Sequence, residues 1–228
     1  YACPTNNQPA AFQTGGARVT VGGDTTVAAG CWIYPFTERT TGRTVIFDLR
    51  DLSVAANGGF NGKAIGFIRA TTVPCSQDTG LWTGDGQWGA SHGGNGGLGT
   101  PAYDYMYVPI YPGAGGNAGN GGANIRISAR DIVLDGTLDA RPGNATTSGG
   151  GGGVWVTCDS LAPSPSAAIL AQGLDSGRGG GGGGRVAIGL GLLPYQIDEL
   201  HARGGTPGLF IGSIAAVLSR PLTVNVAG

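Results

Sequence analysis

Apolar and polar residues alternate along a series of short segments in this chain, and the clearest of these segments directly follow runs of glycine. Such alternation is typical of β-strands that bury one face, since successive side chains of a strand point to opposite sides. Three of these strands are Ile125-Arg126-Ile127, Val154-Trp155-Val156 and Val186-Ala187-Ile188. Helix signals are almost absent, and residues 195–203 suit either a short helix or a strand. The pattern therefore predicts an all-β chain.

A second signature follows each of these strands and recurs with a fixed period. It reads apolar residue, any residue, Ala, any residue, then Gly or Pro, and its centres Ala140, Ala171 and Ala202 are 31 residues apart. A fixed period of this size indicates stacked units, none of which buries its apolar face alone. The small Ala suits a tight corner of the chain. We expect an earlier copy at Val54-Ala55-Ala56-Asn57-Gly58.

Stacking these units in parallel register predicts a right-handed parallel β-helix, a β-solenoid with aliphatic ladders inside. Residues 1–16 are predicted to form an extended N-terminal arm. Residues 17–228 are predicted to form a single solenoid domain with a glycine- and tyrosine-rich insert at about 80–122. The glycine tracts have two interpretations, flexible linkers or ordered, partly polyproline-II-like loops on one side of the solenoid. Their recurrence at the same point of each repeat favours ordered loops, where only Gly permits the close approach of backbones.

Composition narrows the functional classes. Glycine accounts for 47 of the 228 residues, about three times its usual share. Only 12% of the residues are charged and the net charge is −1, which excludes a strongly basic nucleic-acid footprint. No apolar run reaches the roughly 18 residues of a membrane span. The start at Tyr1 is interpreted as a processed N-terminus or as a domain cut from a longer chain.

Four widely spaced cysteines lack the CxxC spacing of a zinc site: Cys3, Cys31, Cys75 and Cys158. Disulfides formed in an oxidising compartment are the simplest interpretation, with buried free thiols as the alternative. Three pairings are possible, and the sequence does not choose among them. Asn144 begins a glycosylation sequon in a polar loop. Together these features predict a secreted or extracellular protein at a cell surface.

Residues suited to catalysis are few and scattered. His92 and His201 lie in different repeats, and no Gly-x-Ser-x-Gly motif or neighbouring Cys and His occurs. We expect His92 to make hydrogen bonds within a loop and His201 to be a solvent-facing strand residue. The glycine runs lack the Gly-Lys-Ser/Thr ending of a phosphate-binding loop, so nucleotide binding is not predicted.

Carboxylates are also candidates for catalysis, because hydrolysis of a polysaccharide requires two carboxyl groups roughly 5 to 9.5 Å apart. Three aspartates recur every four residues, at Asp131, Asp135 and Asp139. A turn among them is expected to keep them from converging. Asp48 and Asp51 flank Arg50 and predict an ion pair at a corner. We therefore predict no enzymatic activity and no metal site, with calcium bound by loop oxygens as an alternative to the second.

The aromatic insert is the best candidate for binding. Its rings are Tyr103, Tyr105, Tyr107 and Tyr111, with Trp82 and Trp88 nearby. Such rings bury a large area at a low entropic cost, so they suit a stacking platform for a glycan or a protein partner. The alternative is that they pack over the loop glycines and cover the side of the solenoid.

The order of these motifs resembles a known pattern. The run Ser91-His92-Gly93-Gly94-Asn95-Gly96-Gly97, followed by the three glycine-to-strand junctions, is similar to the glycine-rich parallel β-helix repeats of large secreted and cell-surface proteins. The resemblance covers residues 44–205 and implies an adhesin or a surface-layer component. It implies no catalytic residues. Such repeats usually belong to long multi-domain chains, whereas this chain is short.

The ends of a solenoid leave strands unpaired, and natural solenoids usually close them with caps. No cap is recognisable in this sequence. We therefore predict a non-enzymatic extracellular structural protein that assembles with itself, end to end, into a surface fibre or filament. Residues 1–16 are then expected to reach into a neighbouring subunit. The alternatives are an adhesin or carbohydrate-binding module that uses the tyrosine-rich insert and, less favoured, a polysaccharide lyase or hydrolase.

Overall fold

The computed structural model describes residues 16–39, 42–68, 89–96, 102–104, 109–116, 119–143, 149–174 and 180–190, and the strand backbone at 197–201, 210–211 and 223–225. The described part is all-β. Its strands, in chain order, are β1 (Arg18–Val27), β2 (Trp32–Ile33), β3 (Ile46–Val54), β4 (Gly59–Asn61), β5 (Asn124–Ser128), β6 (Asp131–Leu134), β7 (Thr137–Asp139), β8 (Gly153–Cys158), β9 (Ser160–Pro163), β10 (Ala168–Leu170), β11 (Arg185–Leu190), β12 (Ile197–His201), β13 (Phe210–Ile211) and β14 (Thr223–Asn225). Residues 1–15, which contain most of the predicted arm, lie outside the described residues.

The strands form two sheets that wrap a common interior. Sheet A has the order β13-β12-β11-β8-β5-β3-β6-β9, and β1 pairs with β3. Sheet B has the order β14-β10-β7-β4-β2. The long strand β3 pairs with β5 through its first half and with β6 through its second half. Successive passes of the chain therefore stack in parallel, and the predicted parallel β-helix is confirmed.

The interior consists of columns of aliphatic and aromatic side chains, one residue from each coil. On sheet A, Phe47 lies in register with Ile127, which is followed by Val156 and Ile188. On sheet B, the column contains Phe60, Leu138 and Ile169. All of these side chains are buried in one hydrophobic cluster. The polar residues between them point outward, which explains the alternation of the sequence.

The repeat signature is confirmed at two of its four positions. Ala140 and Ala171 are fully buried just after β7 and β10. The earlier copy at 54–58 is wrong, because Val54 lies in register with Leu134 and the residue in register with Leu138 is Phe60. Asn57 instead takes a left-handed conformation, φ 61°, in the turn before β4.

The copy centred on Ala202 is also wrong. Leu200 lies in β12, which runs antiparallel to β11 and pairs Leu200 with Val186. The strand that pairs with β10 on the far side of sheet B is β14, where Val224 takes the position of Ile169. The chain reverses direction after β11, so equal spacing in sequence no longer means equal position in the stack.

A third side of the solenoid consists of glycine-rich segments, which we call the glycine array: residues 62–67, 90–94, 112–116, 120–123, 149–152 and 181–184. Consecutive amides in one segment donate to different neighbours. Gly150 N–H donates to Ala114 O, Gly151 N–H to Gly182 O, and Gly152 N–H to Ala140 O, at 2.9, 2.9 and 2.7 Å. Three successive donors that point in three directions fit a polyproline-II helix, which has three residues per turn and no internal hydrogen bonds. The ordered interpretation of the glycine tracts is therefore confirmed for these segments.

The packing of the array explains why its residues are glycines. A Cβ atom built on Gly151 would lie 1.8 Å from Ala171 O, and one built on Gly122 would lie 1.7 Å from Ala140 O. Distances this short overlap backbone atoms that have little room to move. A side chain at these positions would push neighbouring segments apart and break the bonds between them.

Candidate functional site

The described residues of the tyrosine-rich insert pack against the solenoid. Tyr103 and Tyr111 are buried in a second hydrophobic cluster with Phe67, Ala90 and Ala114. The Tyr103 hydroxyl donates to Pro112 O. Burial, and then repulsion from Asp104, raise the pKa of Tyr103 well above its usual value, so the ring stays neutral. Neither ring is available to a ligand, so for these two residues the predicted stacking platform is wrong and the packing alternative is confirmed.

The other members of the predicted platform, Tyr105, Tyr107, Trp82 and Trp88, lie outside the described residues. The same is true of the sequon residue Asn144 and of Cys3 and Cys75. His201 lies in β12 as predicted, and only its backbone is described.

A buried histidine attaches the insert to the glycine array. His92 is fully buried; its Nδ1 lies 2.8 Å from Gly151 O, and its Nε2 lies 3.0 Å from Asp104 Oδ2. A carbonyl oxygen only accepts, so Nδ1 carries a hydrogen. The Asp104 carboxylate also accepts the amide hydrogens of Ile110 and Tyr111. The predicted hydrogen-bonding role of His92 is confirmed, and because no face of the ring reaches solvent, this role is structural.

Arginine and asparagine side chains on the outer face of sheet A donate hydrogen bonds to backbone carbonyls of the insert. Arg185 donates to Tyr103 O at 2.8 and 3.0 Å, and Asn124 Nδ2 donates to Pro109 O at 3.0 Å. Arg126 lies 4.5 Å from the centre of the Trp155 ring, in cation–π contact. Burial lowers the pKa of Arg126 to about 10, opposed by the attraction of Asp104. The arginine therefore remains charged at neutral pH.

The carboxylates form a row of ion pairs along sheet A, at the level where β5 gives way to β6. Asp51 lies 3.3 Å from Arg50 and 2.7 Å from Arg130. Arg130 also pairs with Asp131 at 2.8 Å. The predicted ion pair of Arg50 and Asp51 is confirmed, but it lies in the middle of β3 rather than at a corner. Asp48, in contrast, pairs with Arg18 of the preceding coil, at 2.7 Å.

The three aspartates that recur every four residues do not converge. Asp131 accepts a hydrogen bond from Ser160 at 2.6 Å, and this bond, together with Arg130, holds the pKa of Asp131 below its usual value. Asp139 lies on sheet B and binds Arg141 at 2.6 and 2.9 Å. Asp135 lies in the turn between the two sheets. The prediction that a turn separates these residues is confirmed.

Two of the four cysteines are described, and both are free thiols. Cys158 is buried in the core of the solenoid, and burial raises its pKa to about 12. The buried-thiol alternative is therefore correct for Cys158, and disulfide bonding is not supported for it or for the exposed Cys31. Within the described ranges, no group of three or more His, Cys, Asp or Glu residues is placed to hold a metal ion. None of the described residues belongs to a helix that is long and apolar enough to span a membrane.

At the N-terminal end of the described residues, two side chains that belong to the columns of the interior are exposed. Val19 and Val21 of β1 occupy the same columns as Phe47 and Leu49 of the next coil. Phe47 is 9% exposed, whereas Val19 is 42% exposed. Among the described residues, no strand pairs with the outer edge of β1 or of β2. We call this end, formed by β1 and β2, the N-terminal face.

A row of exposed aromatic residues, the aromatic stripe, borders the N-terminal face. Tyr34 and Phe36 are each 64% exposed and Trp32 is partly exposed, whereas Pro35 between them is buried. Residues 32–36 therefore alternate as a strand does, with three aromatic side chains on the outer side. Sequence reasoning missed this stripe because Pro35 reads as an interruption of a strand. The alternation of aromatic residues at 32, 34 and 36 was the signal for it.

No protein-family model, no curated protein and no solved structure matches this chain. The resemblance to glycine-rich surface proteins therefore stays a prediction. What is established is the fold, with exposed apolar side chains at the N-terminal end of the described residues and an aromatic stripe beside them.

Proposed function

We propose that this chain is a non-enzymatic extracellular structural protein that assembles end to end through its N-terminal face. The observation that carries the proposal is the difference between equivalent positions of the core. Val19 is 42% exposed where Phe47, one coil further on, is 9% exposed. Exposed apolar surface of this kind marks an interaction site when it is contiguous and bordered by polar residues.

The backbone at this end supports the same proposal. The described residues leave both sheets with an open edge there, at β1 and at β2. Unpaired edge strands are templates for pairing with another chain. An added layer would pair these edges and cover Val19 and Val21 in one step, extending the core in the direction in which the coils already stack.

The side chains that usually carry catalysis support a structural role. His92 is enclosed and bonded on both ring nitrogens. On sheet A, three aspartates lie in register on successive strands, at Asp24, Asp51 and Asp131, and each is paired with an arginine. These ion pairs join neighbouring coils.

The test compares two valine-to-aspartate variants by sedimentation velocity over a range of concentrations. Val133 is 45% exposed on the outer surface of β6, away from the N-terminal face, so Val133→Asp is the matched control for Val19→Asp. We expect the unmodified chain to associate as its concentration rises, Val19→Asp to stay monomeric, and Val133→Asp to behave as the unmodified chain. Electron micrographs of the associated material then distinguish fibres from dimers. A chain that is monomeric at all concentrations contradicts the proposal.

An adhesin or carbohydrate-binding module is the second candidate, and the aromatic stripe favours it. Exposed rings stack on the apolar faces of sugar rings, and Tyr34 and Phe36 are exposed to the same degree on one side of one segment. The test is a glycan array with Tyr34→Ala and Phe36→Ala, beside Tyr105→Ala and Tyr107→Ala of the insert and Val133→Ala as a control. Binding that only the first pair reduces places the ligand on the stripe. The absence of any signal from the unmodified chain removes this candidate.

A further inference from the structure

The two ends of sheet A differ in what they offer to another molecule. At the N-terminal face, β1 pairs only with β3 among the described strands. At the other end, β11 is paired on both edges, parallel to β8 and antiparallel to β12. A second copy therefore cannot extend the parallel ladder by adding its β1 to β11, because β12 occupies that edge. Head-to-tail stacking of parallel coils is blocked at this position.

The charges on the edge strand are opposite in sign at its two ends. Arg18 lies at the start of β1 and forms an ion pair with Asp48 of β3. Asp24 lies in the second half of β1 and pairs with Arg50. Both side chains remain about half exposed or more. A two-fold rotation about an axis near Val21 places Arg18 of each copy beside Asp24 of the other, and such self-complementarity is what an isologous interface requires.

The middle of the strand leaves room for a partner. Between Val21 and Asp24 the register with β3 shifts, and the bulge contains Gly22 and Gly23. A Cβ atom at either glycine would meet nothing within 4 Å. Among the described residues, therefore, no side chain stands in front of the glycines where a second strand would approach, and the bordering Val19 and Val21 supply apolar surface.

We propose that the N-terminal face binds the N-terminal face of a second copy, with the two β1 strands antiparallel and each Arg18 paired with Asp24 of the other copy. This inference rests on the end-to-end assembly proposed above and names its partner and orientation. Each contact then lines up four charges of alternating sign. Asp48 and Arg18 come from one copy, and Asp24 and Arg50 come from the other. The apolar columns of the two molecules meet at Val19 and Val21.

Charge reversal tests this orientation by sedimentation equilibrium. In Arg18→Asp, two aspartates face one another in each pair, and in Asp24→Arg, two arginines do. Charged groups in register at an interface change affinity strongly, so we expect each single variant to weaken dimerisation about tenfold or more. The double variant Arg18→Asp/Asp24→Arg restores opposite charges in both contacts between the copies, so it should dimerise more tightly than either single variant. Each reversed charge then lies beside a like charge of its own copy, Asp48 or Arg50, so the affinity of the unmodified chain is recovered in part. An equimolar mixture of the two single variants forms heterodimers, since both contacts are then between opposite charges.

The control is Arg130→Asp, which reverses a charge of the same kind of ion-pair row two coils away from the end and is expected to leave dimerisation unchanged. Thermal unfolding of each variant verifies the fold. If the unmodified chain associates, but neither the double variant nor the mixture regains the association lost in the single variants, the head-to-head orientation alone is overturned. A monomeric unmodified chain overturns the end-to-end proposal as well. Protection of β1 amides from hydrogen exchange in such a monomer would assign the cover of this face to residues 1–15.

Discussion

The interior of the solenoid and the glycine array hold the same coils together by different means. The interior is built from side chains, such as Ile125, Val154 and Val186, that lie above one another in fully buried columns. In the array, the contacts between segments are made mainly at glycines, and the segments are joined by amide-to-carbonyl bonds from one backbone to the next. Side-chain packing tolerates small changes of shape, because neighbours relax around a lost methylene. Contacts between backbones leave no such tolerance, since even one added methyl group overlaps a peptide.

This difference shows which region restricts the choice of amino acid most strongly. Aliphatic columns are permissive and accept any β-branched or aliphatic residue of similar volume. The array is selective, because it accepts only Gly at positions such as 122 and 151. Four predictions test this contrast, beginning with the largest expected effect.

The first prediction adds a methyl group to the array. In Gly151→Ala the new Cβ would lie 1.8 Å from Ala171 O and 2.6 Å from Gly184 N, both of them backbone atoms. We expect a loss of about 4 kcal/mol or more in the free energy of unfolding, measured by urea denaturation. Gly22→Ala is the matched control, because nothing lies within 4 Å of its Cβ. At a protein concentration that keeps the chain monomeric, it should change stability by about 0.5 kcal/mol or less. Equal effects of the two variants would contradict the backbone-contact explanation.

The second prediction cuts the connection between the array and the insert. His92→Ala removes both ring hydrogen bonds and leaves the buried Asp104 carboxylate without one of its partners. Leaving a buried hydrogen-bonding group without its partner typically costs about 1 to 3 kcal/mol, and we expect a loss in that range. Hydrogen exchange should show the largest increase at Tyr103 and Tyr111, while β5 and β8 stay protected. Uniform loss of protection would mean that the insert and the core unfold as one unit.

The third prediction concerns the interior. Ile125→Val removes one methylene from a fully buried column, and we expect a loss of about 1 kcal/mol. The larger Ile125→Ala should cost about 2 to 5 kcal/mol. The comparison fails if Ile125→Val destabilises the chain as much as Gly151→Ala, since the interior would then be as intolerant as the array.

The fourth prediction uses the two described thiols. Burial raises the pKa of Cys158 to about 12 from 9.0. A raised folded-state pKa stabilises the fold fully below pH 9, and this contribution is lost as the pH rises from 9 towards 12. Under reducing conditions, the unfolding free energy should therefore fall more steeply above pH 9 for the unmodified chain than for Cys158→Ala. At pH 8, peptide mapping after brief alkylation should show modified Cys31 and unmodified Cys158, and rapid modification of both would contradict the burial of Cys158.

The sequence predicts the coils well because their period and alternation are local. The junctions before Ile125, Val154 and Val186 predict strands that the structure places in one register. The N-terminal and C-terminal copies of the Ala signature fail for a physical reason, since a turn at Asn57 and a reversal after β11 change the position of a residue in the stack without changing its spacing in the chain.

The candidate sites were harder to predict than the fold. Tyrosines next to glycines suggest an exposed platform. Tyr103 and Tyr111 are nevertheless buried in a cluster with Phe67 and Ala90, which are distant in sequence, and with the nearby Ala114. The stripe at Trp32, Tyr34 and Phe36 depends on the opposite fact, that no coil of the described residues covers this side of the edge. Contacts between coils decide whether an aromatic residue is buried or exposed. The alternation of residues within one coil gives no information about those contacts.

The glycine array joins its segments by bonds between uncharged peptide groups, three successive amides reaching three neighbours. Those bonds have no proton to gain or lose near neutrality, and dissolved ions do not screen them as they screen the exposed row that includes Arg130 and Asp131. A high salt concentration would therefore weaken the outer row long before it disturbed the array. A protein built in this way keeps one side of its framework constant while the salinity of its surroundings changes.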